Sequence, residues 1–256
     1  MPELVTDGER AIPEQLCQTR LGQSILEGHL RRYRLAQRYV QGRRVLDAAC
    51  GVGYGSAMLQ QAGAASVLGV DYKLAALQYA RQHYHCPGVC FAQADLDCFD
   101  WPTGAFDAVV SLETIEHLRD PLGFVERVWK RLPPGGIFAL STPITATLAE
   151  DPWHRHEWSE DEARRMVESV GFTTVDELRT LRSNSPRELI EAGHKYPQSV
   201  HWAHILRHWW PLLKRMLLGW PNWGELMLVT HKPPLTAPDG PALGRVRSTD
   251  RPSPAS

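Results

Sequence analysis

The chain has almost no excess of charge: 28 basic residues face 29 acidic ones in 256, leaving a formal net charge of −1. That balance leaves no electrostatic footprint for an anionic polymer, so nucleic acid is not an expected partner. Cysteines are few, at Cys17, Cys50, Cys86, Cys90 and Cys98. An odd, scattered set in a chain of this size is no disulfide framework and fits a reducing compartment. Cys86 and Cys90 are spaced C-x-x-x-C with no second pair and only His83 and His85 nearby, so ordinary thiols are expected rather than structural zinc. No uncharged apolar run approaches a membrane span, and the opening MPELVTDGERAIPE lacks a basic stretch followed by an apolar one. A soluble, cytoplasmic protein is expected. The length suits one α/β domain with added elements rather than two independent domains.

What is present starts at Val45. The segment VLDAACGVGYGSAML, Val45 to Leu59, reads as an apolar strand ending at Asp47, a turn containing Gly51, Gly53 and Gly55, and the beginning of a helix. Glycine tolerates positive φ and lets ligand atoms approach the backbone at a helix N-terminus. Such a turn alone also serves dinucleotide enzymes and plain strand-to-helix connections. About twenty residues on, Val67-Leu68-Gly69-Val70-Asp71 ends a second apolar strand in a carboxylate, the arrangement that grips ribose hydroxyls. Helical segments such as Leu74 to His83 alternate with strands, which predicts parallel pairing and right-handed crossovers. Ligands then sit beyond the strands' carboxyl ends, where Asp47, Asp71, Asp95 and Glu113 fall.

Around this centre the pattern changes. Residues 15–41 carry Leu16, Leu21, Ile25, Leu30, Leu35 and Tyr39 at helical spacing, so residues 1–41 are expected to form helices capping the pocket. A domain over 42–232 follows. Ser159 and Glu162 have the spacing of a capping box, Gly171 ends that helix, and Phe172 to Leu181 reads as a strand. Before a last apolar strand at Glu225 to Thr230 lies a Trp-rich insertion, about 182–224, containing HWAHILRHWWPLLKRMLLGWPNW. It is a candidate for packing on the domain, for a homodimer contact, for a substrate lid or for weak contact with a membrane surface. The tail 233–256, rich in Pro, Gly, Ser and Arg, is expected to be disordered.

A second constellation follows the fourth apolar run. In Glu113-Thr114-Ile115-Glu116-His117-Leu118, a helical turn would bring Glu113, Glu116 and His117 to one edge, the start of a divalent metal site. The same residues can instead serve a helix terminus or acid–base chemistry. Another polar group, Asp151-Pro152-Trp153-His154-Arg155-His156-Glu157-Trp158, follows the fifth strand.

Taken together, Asp47-Ala48-Ala49-Cys50 before G-x-G-x-G, Asp71, Phe91 to Leu96, Phe106 to Glu113, and Leu132 to Pro143 resemble the class I S-adenosylmethionine-dependent methyltransferases. More narrowly, the likeness is to their type 11-like domain, in the same order over roughly residues 9–180. The resemblance implies a Rossmann-like α/β fold with a mostly parallel seven-stranded sheet flanked by helices, an N-terminal helical cap and a helical insertion before the last strand. It also implies S-adenosylmethionine as cofactor, contacted by Asp47, Ala49, Gly51, Gly53, Asp71, Tyr72, Asp95, Leu96, Leu112 and Glu113. Asp95 stands where the family places the acidic group for the adenine amine. The pair E-x-x-E-H and H-x-x-E-W is similar to the Hen-type RNA 2′-O-methyltransferases and to methyltransferases of glycan assembly, and ubiquinone-pathway O-methyltransferases share its first part. Carried over by position, this implies Mg²⁺ or another divalent metal on Glu113, Glu116, His117 and His154. His117, His154 and His156 are then candidate catalytic residues, with His156 a candidate either to contact the acceptor or to support the metal ligands from behind.

The expected activity is methylation of a hydroxyl on a small molecule, sugar or glycan. An alcohol is a poor nucleophile at neutral pH, so a metal that holds it and a histidine that accepts its proton both have a purpose. Methylation of an RNA 3′-terminal 2′-hydroxyl is the alternative, disfavoured by the neutral charge and by the absence of a basic, aromatic-rich stripe outside residues 31–44 and the insertion. A non-catalytic, cofactor-binding accessory protein is the alternative of another class.

Overall fold

The computed structural model describes residues 11–18, 20–144, 154–182 and 223–234. The Trp-rich insertion, nearly all of the tail and the Asp151 to Trp153 stretch therefore lie outside the described residues. Two helices come first, α1 (Pro13–Leu16) and α2 (Arg20–Gln37). The alternating part follows as β1 (Arg44–Ala48), α3 (Tyr54–Gln61), β2 (Ser66–Asp71), α4 (Leu74–His83), β3 (Val89–Gln93) and β4 (Ala108–Leu112). A 3₁₀ turn at Ile115–His117 leads to α5 (Pro121–Arg131), β5 (Ile137–Pro143), α6 (Glu160–Ser169), β6 (Thr173–Arg182) and β7 (Trp223–His231).

The seven strands form one sheet in the order β3-β2-β1-β4-β5-β7-β6. Pairings among β1 to β5 are parallel, and β7 runs antiparallel between β5 and β6. Successive strand residues point to opposite faces, and here both faces are covered. Val45 and Val110 pack with Tyr33, Leu59 and Met227 on one side. Leu46 and Val109 pack with Phe124, Val128 and Phe138 on the other. The central strands β4 and β5 are consequently buried along their whole length rather than alternating, whereas the edge strand β6 alternates partly buried and exposed residues.

Local chemistry sets the element boundaries. Asp120 caps α5 by accepting from the Gly123 amide at 2.9 Å, with Pro121 in the first turn, where its missing N–H costs nothing. The predicted capping box on α6 is present: the Ser159 hydroxyl accepts from the Glu162 amide, and the Glu162 carboxylate accepts from the Ser159 amide. All five cysteines are free thiols. No described helix is long and apolar enough to cross a membrane.

Strand order decides where a ligand can sit. From β1 the chain winds outward to β2 and β3, whereas from β4 it winds the other way to β5, so the crossovers diverge between β1 and β4. The crevice beyond the carboxyl ends of those two strands is the expected binding place in such sheets. Helix α2 closes it from one side. Its Gln37 donates to the Met58 carbonyl on α3 at 2.7 Å, and its Arg32 forms a buried ion pair with Glu225 on β7.

Candidate cofactor and acceptor site

Above the divergence of β1 and β4 the structure holds a cavity of about 460 Å³, of a size ordinary for a small-molecule or cofactor site. It gathers Ala49, Gly51, Asp71, Tyr72, Asp95, Leu96, Leu112 and Glu113 from the loops after four strands. Residues far apart in sequence thus share one wall because four parallel strands end at the same level.

The loop after β1 is shaped by positive φ. Ala49 (63°), Gly51 (55°) and Gly53 (88°) turn the chain sharply into α3. A Cβ on Gly51 would meet nothing within 4 Å, whereas one on Gly53 would strike Ala80 Cβ at 2.6 Å and the Phe91 ring. Gly51 therefore leaves room at the cavity wall, and Gly53 lets the loop lie against α4 and β3. Asp71 braces this turn. Its carboxylate accepts from the Gly51 amide at 3.0 Å and from the Lys73 amide at 2.9 Å, while the residue still borders the cavity. Each carboxylate oxygen has more than one lone pair, so ribose hydroxyls can add to these bonds. Beside it, Tyr72 presents an aromatic ring that is half exposed.

Two expected cofactor residues stand behind the wall rather than on it. Gly53 is one, for the packing reason just given. Asp47 is the other: it is 1% exposed and accepts from the Ser56 hydroxyl at 2.6 Å and the Tyr33 hydroxyl at 3.2 Å. Burial pushes its carboxyl up to about 6 against the lowering effect of those hydroxyls. The adjacent Cys50 thiol is pushed well up by burial and by the Asp47 and Asp71 charges, so it is no nucleophile.

Asp95, which also lines the cavity, is half exposed. Its carboxylate accepts from the Asp97 amide at 3.0 Å and faces Arg119 at 3.4 Å. Arg119 in turn grips Asp97 at 3.0 Å, tying the loop after β3 to the turn after β4.

The turn after β4 separates the two glutamates that the sequence places on one helical edge. Glu113 precedes the 3₁₀ turn with φ at 50°, an uncommon conformation for a non-glycine residue. Its carboxylate accepts from the Ser141 hydroxyl at 2.7 Å and lies 3.9 Å from the Arg32 guanidinium. Burial raises its pKa, and Arg32 opposes the rise. Glu116 is buried instead between the turn and β5, with one carboxylate oxygen accepting from the Thr142 hydroxyl at 3.3 Å. Its other oxygen, Oε1, is buried without a hydrogen-bond partner. Burial first, and the nearby Glu113 charge second, push its carboxyl well above the ordinary range.

That orphaned oxygen belongs to a compact group. Ligating atoms of Glu116, His117 and His154 lie within 4.8 Å of one another. The two imidazole rings meet edge to face with centroids 5.1 Å apart. What brings His154 there is the Glu116 carbonyl, which accepts from the Arg155 amide at 2.7 Å and the His156 amide at 3.2 Å. Donors bound to one ion at about 2.0–2.6 Å stand no more than about 5 Å apart, so these three fit a divalent cation. Glu113 is not part of the group. An α-helical turn would have included it, but its positive φ turns its carboxylate toward Ser141 and Arg32.

Several residues that the sequence reading passed over also shape the site: Arg32, Tyr33, Ser56, Ser141, Arg119 and Arg155. Arg32, Tyr33 and Arg119 come from other elements, so spacing along the chain carries no sign of them. Ser56, Ser141 and Arg155 are the exceptions, since they lie inside the glycine-loop, fifth-strand and H-x-x-E segments.

Comparison with known proteins agrees with this geometry. Residues 46–140 match the family described as a methyltransferase domain. The chain is 35% identical over 167 residues to a probable S-adenosylmethionine-dependent methyltransferase of Mycolicibacterium smegmatis, covering 63% of each. It is 32% identical over 115 residues to a ubiquinone biosynthesis O-methyltransferase of Methylocella silvestris, covering 44% of each. The chain thus spans less than two thirds of the length of these relatives. An S-adenosylmethionine-dependent methyltransferase structure from Mesorhizobium loti shares the fold, with a TM-score of 0.54, 19% identity, and coverage of 78% of this chain and 97% of that one. Residues 46–140 thus match a methyltransferase domain, and the chain is similar in sequence to probable S-adenosylmethionine-dependent methyltransferases and in fold to a solved one.

Proposed function

We propose that the protein transfers the methyl group of S-adenosylmethionine to a hydroxyl of a small molecule, sugar or glycan, with a divalent metal at Glu116, His117 and His154. The observation that carries this reading is one cavity bordered at once by Gly51, Asp71, Asp95 and Glu113 and by His117 and Arg155. The first set suits a nucleoside with an amino-acid tail, and the second lies where an acceptor would meet the methyl group. The similarity to a ubiquinone biosynthesis O-methyltransferase supports oxygen as the acceptor atom.

The sulfonium cofactor supplies an electrophilic methyl group. This chain's residues bind and align it: Asp71 takes the ribose, Tyr72 offers a ring face to the base, Asp95 accepts from the adenine amine, and Glu113 faces the amino-acid end. In-line displacement then needs the acceptor oxygen held still and relieved of its proton. With His117 and His154 committed to the metal, His156, on the loop pinned to the Glu116 carbonyl, is the imidazole left to take that proton. The fit of a metal rests on the orphaned Glu116 Oε1, a buried acceptor that a cation would satisfy. Bound there, it would polarise a coordinated hydroxyl.

The test is calorimetry with S-adenosylhomocysteine, then methyl transfer to catechols and sugars with and without a chelator. Binding by the wild type, and at least tenfold weaker binding by Asp71→Ala, are expected. No binding to the wild type would remove the cofactor reading, and full turnover in chelator would remove the metal.

A further inference from the structure

We infer that the acceptor carries an oxyanion, carboxylate or phosphate, held by Arg155; this rests on the methyl-transfer reading above and narrows its substrate class. Two arginines border the cavity, Arg119 and Arg155. Arg119 is spent on Asp95 and Asp97, at the end where the adenine would lie. Arg155 is exposed, and no ion pair or side-chain hydrogen bond ties its guanidinium to any described residue. Its backbone is nonetheless fixed, because its amide donates to the Glu116 carbonyl at 2.7 Å. The anchored backbone sets this exposed guanidinium, unpaired among the described residues, at the wall of the cavity that His117 also borders.

The charges around it point the same way. The carboxylates that border the cavity are each engaged: Asp71 by backbone amides, Asp95 and Asp97 by Arg119, and Glu113 by Ser141 and Arg32. None of these answers Arg155. A planar guanidinium pairs two N–H groups with two oxygens of a carboxylate or phosphate, which fixes orientation as well as charge. An acceptor bearing such a group would be held by one end at Arg155 while its hydroxyl lies toward His117.

The experiment uses the full chain saturated with S-adenosylhomocysteine and two matched pairs of probes. These are 3,4-dihydroxybenzoate against catechol, and ribose 5-phosphate against ribose, titrated into wild type, Arg155→Gln and Arg155→Lys. In at least one pair the anion should bind wild type about tenfold or more tightly than its neutral partner, and the responding pair separates carboxylate from phosphate. Arg155→Gln should abolish that preference, and Arg155→Lys should keep only part of it, with cofactor affinity unchanged in both. If neither anion is preferred, or if Arg155→Gln keeps the preference, the inference falls alone. If S-adenosylhomocysteine itself does not bind, the methyl-transfer reading falls and takes the inference with it.

Discussion

Asp47 shows how a motif residue can be kept in the core at a cost. Its carboxyl, raised by burial from 3.8 to about 6, is protonated in folded and unfolded chains alike below pH 3.8. Above about pH 6 it is ionised in both, and the folded state alone bears the desolvation. Stability from this group therefore falls as pH rises between those values, by about 3 kcal/mol at about 1.4 kcal/mol per pH unit. Asp47→Asn should accordingly stabilise the protein toward urea at pH 7.5 and leave it nearly unchanged near pH 4. Equal effects at both pH values would refute this account. The paired glutamates teach the same lesson about position. Both were visible in the sequence as candidate ligands, but Glu113, at a φ of 50°, bonds Ser141 through its amide and carboxylate and stays outside the Glu116, His117 and His154 group.

At the scale of elements, the glycine loop divides into residues that face the cavity and residues that face the core. A Cβ on Gly55 would lie 1.9 Å from the Tyr33 ring, so Gly55→Ala must force α2 and α3 apart. Overpacking of this kind costs about 1–3 kcal/mol. Gly51→Ala meets no atom and bears only the strain of a positive φ, about 1 kcal/mol. We expect Gly55→Ala to lower the melting temperature sharply, and Gly51→Ala to melt close to wild type while binding S-adenosylhomocysteine at least tenfold more weakly. The reverse pattern would show that Gly51, not Gly55, is the packing residue. The α4 boundaries, the α6 capping box and the last two strands were all legible in sequence, since apolar period and cap chemistry are local. The 3₁₀ turn was not, because Glu116 is held there by Thr142 on β5 and by the amides of the His154 loop.

Across the whole molecule, one buried contact ties the first helical segment to the last strand. Arg32 and Glu225, 193 positions apart, form an ion pair with both side chains nearly inaccessible, and Glu113 at the cavity is the second acidic neighbour of Arg32. Removing one member of such a pair leaves a buried charge and costs about 3–5 kcal/mol, whereas apolar replacement of both can be nearly neutral. Arg32→Met and Glu225→Leu should each lower unfolding free energy in urea by that amount, and the double variant should recover part of it, because Glu113 then still lacks its cation. A double variant as unstable as the sum of the singles would show that the two residues are not coupled.

The sequence by itself determined the glycine loop, the acidic residues at the strand ends, the helix caps and the likeness to methyltransferases. Each depends on neighbours within a few positions, or on a pattern repeated along one chain. The tertiary structure alone decided that Asp47 faces the core and Asp71 the cavity. It also joined Glu116 rather than Glu113 to His117 and His154, and left the Arg155 guanidinium at the cavity wall without an ion pair among the described residues. Those outcomes follow from which side chain of a distant element fills the space beside each residue, and spacing along a chain does not encode that.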